Sequence, residues 1–242
     1  MACKSCGAYL VGTTFVRQRT SGPFRLCDSC GAPLGEIPRP RFGEPDDSWV
    51  AQFGEAFKGK NDVLAVTTVY ATIQRDVPKI LALMKYFEGL CDDDGSEESS
   101  WVDFGDLFKA LHEAIRWIMD FQLAISCLHA IASLLQGKGY SMTPIQYEER
   151  EEVLASIDER IKEKGLEQVY EECIEAASNA AADIFEIVSK THRDVMSIHE
   201  SDQPVSVLLA LDSVVERLTG KLDQLWSAQY AVMEMDRWST AS

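Results

Sequence analysis

Apolar residues recur three and four positions apart along most of the chain after residue 47, the pattern of helices that turn one face to a core. Trp49, Phe53 and Phe57 predict a short helix to about Lys58, with Asp47 or Ser48 as its cap. Residues 62–75, DVLAVTTVYATIQR, carry the Val, Thr, Tyr and Ile of a strand. A lone strand has no partners in a helical setting, so this segment is read as helix. Asp76-Val77-Pro78 has the form of a cap and a first-turn proline, predicting a new helix to about Leu90. Phe104, Leu107, Leu111, Ile115, Ile118, Gln122 and Ile125 mark a long helix from Trp101 to about Leu135. Its second half is apolar almost all round, as in the central member of a bundle. Thr143-Pro144 opens a helix to about Lys164, and Gly165 is either a break or an interior glycine. Tyr170, Cys173, Ala177, Ala180, Ile184 and Ile187 continue the spacing toward Ile198. The last helix, about Pro204 to Trp238, repeats in heptads through Leu208, Leu211, Val215, Leu218, Leu222, Leu225, Gln229 and Val232. Trp226, Tyr230 and Met233 widen that stripe beyond a two-stranded seam and favour a bundle.

The first 34 residues lack this period. TTFVRQR and PFRL, separated by Thr20-Ser21-Gly22, predict a short β-hairpin. Residues 35–47, GEIPRPRFGEPDD, hold three prolines and two glycines and predict a stiff, exposed connector. The expected organisation is a small module over residues 1–34, a linker over 35–47 and a helical body over 48–242. The expected fold class is mainly α, an antiparallel bundle of long helices behind an N-terminal hairpin module.

Cysteine spacing gives that module its chemistry. Cys3-x-x-Cys6 is followed after twenty residues by Cys27-x-x-Cys30, and each pair runs into glycine, as CKSCG and CDSCG. Each turn aims two thiolates at one point, and two such turns supply the four soft ligands that structural Zn²⁺ takes. With the hairpin between them, residues 1–34 resemble a zinc ribbon of the four-cysteine type. The resemblance implies Cys3, Cys6, Cys27 and Cys30 as metal ligands with no open coordination position, hence a structural zinc. Ribbons serve nucleic-acid binding, protein docking and purely structural ends. Arg17, Arg19 and Arg25, near Phe15 and Phe24, are the candidate residues for nucleic-acid or partner contact.

Charge sharpens the division. The chain of 242 residues has 23 Lys+Arg and 39 Asp+Glu, a formal net charge of −16. Residues 1–44 hold six basic and three acidic side chains, so the +3 there leaves −19 on residues 45–242. An acidic body repels phosphate backbones and anionic lipid, which leaves the ribbon as the place for any nucleic-acid contact. Hydrophobic content of 46% excludes wholesale disorder, and seven cysteines are too few for a disulfide-stapled miniprotein. Cys91, Cys127 and Cys173 stand singly in apolar surroundings. Paired thiols at metal spacing, and no apolar run of signal length in Met1 to Leu10, point to a reducing, cytoplasmic setting. The uncharged stretch Phe121 to Leu135 is shorter than the roughly 20 residues of a membrane span, and no membrane partner is expected.

The helical body offers few catalytic patterns. The acidic loop CDDDGSEESS over Cys91–Ser100 fails as a calcium loop, because Leu90 and Trp101 fall at its first and last ligand positions. No Glu stands three residues before His112, His129, His192 or His199, as a bundle di-iron site requires. No nucleotide-binding glycine loop or metalloprotease motif is present. Glu149-x-x-Glu152 and Glu172-x-x-Glu175 resemble the paired acidic motifs of Mg²⁺-dependent all-α nucleotide pyrophosphohydrolases, with glutamate where that family ends its second motif in aspartate. Against them stands a solvated charged face. The sequence therefore favours a non-catalytic zinc-binding interaction or regulatory protein, in which the ribbon docks a partner and the helices assemble or self-associate. A nucleic-acid-associated factor and the Mg²⁺-dependent hydrolase are the alternatives.

Overall fold

Which helices form, and where each stops, follows the spacing of apolar residues. The computed structural model describes residues 13–18, 22–27, 33–36, 39–91, 104–137, 150–200 and 210–241. The described part is mainly α, with six helices packed as a bundle: α1 (Ser48–Lys58), α2 (Asp62–Cys91), α3 (Phe104–Leu135), α4 (Arg150–Lys164), α5 (Leu166–Glu200) and α6 (Leu211–Ala241). Ahead of them the backbone forms strands β1 (Thr13–Gln18), β2 (Gly22–Cys27) and β3 (Pro33–Glu36). They pair antiparallel in the order β1-β2-β3, with Phe15 opposite Arg25 and Arg17 opposite Pro23.

Four long helices make the core. Their neighbours are α2 with α3, α3 with α6, α6 with α5 and α5 with α2. Paired residues set the directions. Gln122 of α3 meets Val215 and Thr219 of α6, whereas His112, a few turns earlier, meets Gln229 further along α6. Lys221 of α6 reaches Asp183 of α5, and Cys173 reaches Ala228. Lys85 of α2 lies over Phe185 of α5, and Gln74 meets Met196. Every adjacent pair is therefore antiparallel, and α3 and α5 run parallel across the diagonal. A bundle of this kind needs one long crossover between its parallel members, and α4 lies within it, packed on α5 and α6.

α3 is the most enclosed helix. From Phe121 to Leu128 only Leu123 escapes full burial. By length and composition α3 could cross a membrane, but 67% of its most apolar window is buried by the rest of the chain. α1 lies at the end where α2 begins and α3 ends, joining Ala56 to Ala65 and Ile131, with Phe53 and Phe57 stacked at 5.4 Å.

Two boundaries differ from the sequence reading, and the choice it left open at Gly165 is resolved. α2 is continuous through residues 62–91, so Asp76 is no cap and Pro78 sits inside a helix. The carbonyl that Pro78 leaves without a donor belongs to Gln74, which is exposed, so water can satisfy it. Asp47 forms no side-chain cap on α1; the carboxylate of Asp46, one residue earlier, accepts the Ser48 N–H at 3.0 Å. Gly165 is a true break, with φ of 84° and its N–H donating to the Ile161 carbonyl at 2.9 Å. Residues 143–149 and 204–209, where the sequence starts two of its helices, lie outside the described residues.

The core assignment has a direct check. Ile118→Ala in α3 and Leu222→Ala in α6, both fully buried, should each cost about 2–5 kcal/mol in urea unfolding followed by far-UV circular dichroism. Val63→Ala, at a site 78% exposed, should change stability by no more than about 0.5 kcal/mol.

Candidate functional site

The residues expected to form a ribbon site fall largely outside the described part. Cys3, Cys6, Cys30 and Arg19 lie outside it, while Cys27, Arg17 and Arg25 are described as backbone alone, in β2, β1 and β2. The paired glutamates fare differently. Glu172 accepts from Arg160 at 2.6 Å and Lys164 at 2.8 Å, contacts that hold its pKa below the usual carboxylate range, Lys164 contributing most. Glu175 is exposed; Glu149 and the side chain of Glu152 lie outside the described residues. Glu172 is thus engaged in ion pairs of the α4–α5 junction.

The densest chemistry in the described residues gathers where the connector, α1, α2 and α3 meet, and it centres on Arg75. Arg75 Nε donates to Asp76 Oδ1 at 2.6 Å, one terminal nitrogen donates to the Asp46 carbonyl at 2.7 Å, and the other donates to Asp120 Oδ2. Trp49 Nε1 donates to Asp120 Oδ1 at 2.9 Å. The Lys79 ammonium lies 3.7 Å from the centre of the Trp117 ring, and the Arg75 guanidinium lies 5.6 Å from it. Trp117 Nε1 in turn donates to the Gly43 carbonyl at 3.0 Å.

Those bonds turn the connector into a strap. Residues 39–47 are mostly exposed yet tied along α3: Arg39 pairs with Glu113 at 2.7 Å and Asp106 at 3.3 Å. Glu113 also accepts the Phe42 N–H, while Glu44 meets His112 at 3.0 Å and Arg116 at 2.9 Å. A stiff, proline-rich segment loses little entropy when it docks this way.

Asp76 is fully buried at 0% exposure and Asp120 nearly so at 8%. Burial foremost, with the neighbouring Asp120 adding to it against the pull of Arg75, raises Asp76 to about 7. Its Oδ2 is buried without a hydrogen-bond partner, and a proton there makes it a donor toward Asp120. Burial works against the Arg75 charge, but its bond to Asp76 and the charges of Asp76 and Asp120 prevail and hold the guanidinium above its usual value. A carboxyl that titrates near neutrality has the acidity of a general acid or base. Full burial keeps any substrate away from Asp76, and the contacts of the cluster tie the strap, α1, α2 and α3 together.

Sequence pattern had taken Asp76 for a helix cap. The signal for the cluster was Asp120, an acid amid the apolar run of α3, because a buried carboxylate demands a cation and donors. Elsewhere, burial lowers His192 below its usual value and pushes Cys127 up to about 12, leaving that thiol unreactive. A hollow of about 280 Å³ between α5 and α6 sets Lys190 and Arg217 beside Glu186 and Asp194, charges that balance. No grouping of three or more His, Cys, Asp or Glu suited to a metal ion occurs among the described residues. The chain matches no known family, curated protein or solved structure.

The proton on Asp76 makes stability depend on pH. Between about pH 4 and 7 the native chain holds a proton that the unfolded chain has already lost, so stability falls as pH rises through that window. Asp76→Asn, whose amide can donate toward Asp120, should remove this slope. In urea melts the variant should match the parent near pH 4 and exceed it by a few kcal/mol near pH 8.

Proposed function

We propose that the chain is a non-catalytic interaction protein. Residues 1–34 form a zinc ribbon with four cysteine ligands that docks a protein partner, and the acidic helical bundle is the body that carries it. The observation behind this reading is the pair of C-x-x-C turns twenty residues apart, each running into glycine. Four thiolates fit Zn²⁺ in charge, softness and number, and they fill its tetrahedral shell. Such a metal holds the module's fold in place of a hydrophobic core too small to do so.

The helical body supports the same reading. Its buried polar groups are largely engaged with one another: Arg75 with Asp76 and Asp120, Trp49 with Asp120, and Gln122 with Thr219 and the Val215 carbonyl. Glu172, the described member of the paired acidic motifs whose contacts are resolved, is held by two cations. Four thiolates and one Zn²⁺ would take the +3 of the N-terminal part to about +1 against −19 on the body, which divides the labour, with docking in the first and solubility in the second.

Elemental analysis of the purified chain should find one zinc per molecule. Chelation, or Cys27→Ser, should release the metal and unfold residues 1–34 while leaving the helical circular-dichroism signal intact; loss of that signal would make the ribbon part of the bundle's core. Cross-linked pull-down from native cells should recover one protein partner with the parent chain and lose it with Cys27→Ser. Recovery of nucleic acid instead, weakening as salt rises and lost on replacing Arg17, Arg19 and Arg25, would overturn the protein-docking assignment.

A further inference from the structure

We propose that the proton on Asp76 governs the strap: residues 39–49 lie closed over α2 and α3 while Asp76 is neutral and lift when it ionises. The geometry carries this. Arg75 binds both buried carboxylates and also the strap, through the Asp46 carbonyl at 2.7 Å. With Asp76 neutral, one guanidinium faces one carboxylate, and the proton on Oδ2 of Asp76 gives an otherwise unpartnered buried atom a role as donor. With Asp76 ionised, two buried carboxylates share that guanidinium, which is itself 28% exposed, while the second cation, Lys79, sits on the Trp117 face. Desolvated like charges repel strongly, and the relief is to let water in.

What covers the cluster is also what the cluster holds. Trp49, at 4% exposure, caps Asp120 through its indole N–H, and Trp117 beneath the cations donates to Gly43 of the strap. The groups facing Asp76 are Arg75 and Lys79 from α2, Asp120 from α3, and Asp46 from the strap through Arg75. Lys79 rests on the Trp117 face, the second cation of the cluster. Burial and Asp120 bring the titration of Asp76 to about 7 in the closed site, against about 4 for a hydrated carboxyl, so release of the strap builds up between those pH values. The strap is the covalent route to residues 1–34, and its release lengthens the tether of that module.

Solvent exchange of tryptophan indole protons in the full chain tests this, with assignments from single Trp→Phe variants. Protection of the Trp117 indole N–H, after correction for intrinsic base catalysis, should fall by up to tenfold per pH unit between about pH 4 and 7, where only the closed state keeps the Asp76 proton, and be constant above about pH 7. Trp238, whose indole donates to Asp158 at 2.8 Å on the α4–α6 side, should show no such fall. Asp76→Asn should keep Trp117 protected throughout, and Asp120→Asn, which leaves one carboxylate for the guanidinium, should do the same. A parent chain with pH-independent protection overturns the proposal. So does a parallel loss at Trp238, which marks global loosening. A dependence that survives Asp76→Asn and disappears in His112→Gln also overturns it, because it places the switch at the His112–Glu44 contact.

Discussion

A helix that is apolar around most of its circumference must be covered on more than one side, and α3 imposes that demand on the whole molecule. α2 and α6 take two flanks, the strap lies along a third, and α1 closes the end near Ile131. Antiparallel neighbours follow from the short return available between consecutive long helices. The parallel placement of α3 and α5 then requires the crossover that includes α4. Burial of Leu, Ile and Phe along these seams supplies the main favourable energy, at about 25 cal/mol for each Å² of apolar surface removed from water.

Asp120 is the exception within α3, and the local architecture answers it. A carboxylate so placed is tolerable only with a cation and donors around it. Arg75 and Trp49 meet that need, from α2 and α1 respectively. Arg75 then continues to Asp76 and to the strap, so one acid on the central helix fixes how four elements meet. The same knot leaves Asp76 with a proton to gain or lose near neutrality.

The helices were legible because their signal is local. Heptads such as Leu218, Leu222 and Leu225 need no knowledge of the partner to be recognised, and all three are fully buried. Asp76-Val77-Pro78 misled for an equally local reason: a cap and an interior proline look alike until one knows that α2 runs on through Pro78 and that Gln74, whose carbonyl loses its donor, is an exposed residue. The strap was invisible beforehand. Its composition gives an exposed proline-rich segment, whereas its docking depends on Glu113, Arg116 and Trp117, all about seventy residues away in sequence. The Asp76–Arg75–Asp120 cluster escaped for the same reason, since no motif links two acids that meet only when α2 and α3 pack. The proposed zinc ligands are the reverse case, an expectation that rests on spacing alone.

The central claim is that α3 is the enclosed centre on which the other elements depend. Native-state hydrogen exchange of its backbone amides from Leu111 to Leu128, measured across sub-denaturing urea, tests it most directly. The account predicts that these amides exchange only through global unfolding, with an opening free energy equal to that from urea melts and at least as large as any in α5 or α6. Exchange of these amides through a smaller, urea-independent opening, while α6 stays protected, would contradict it.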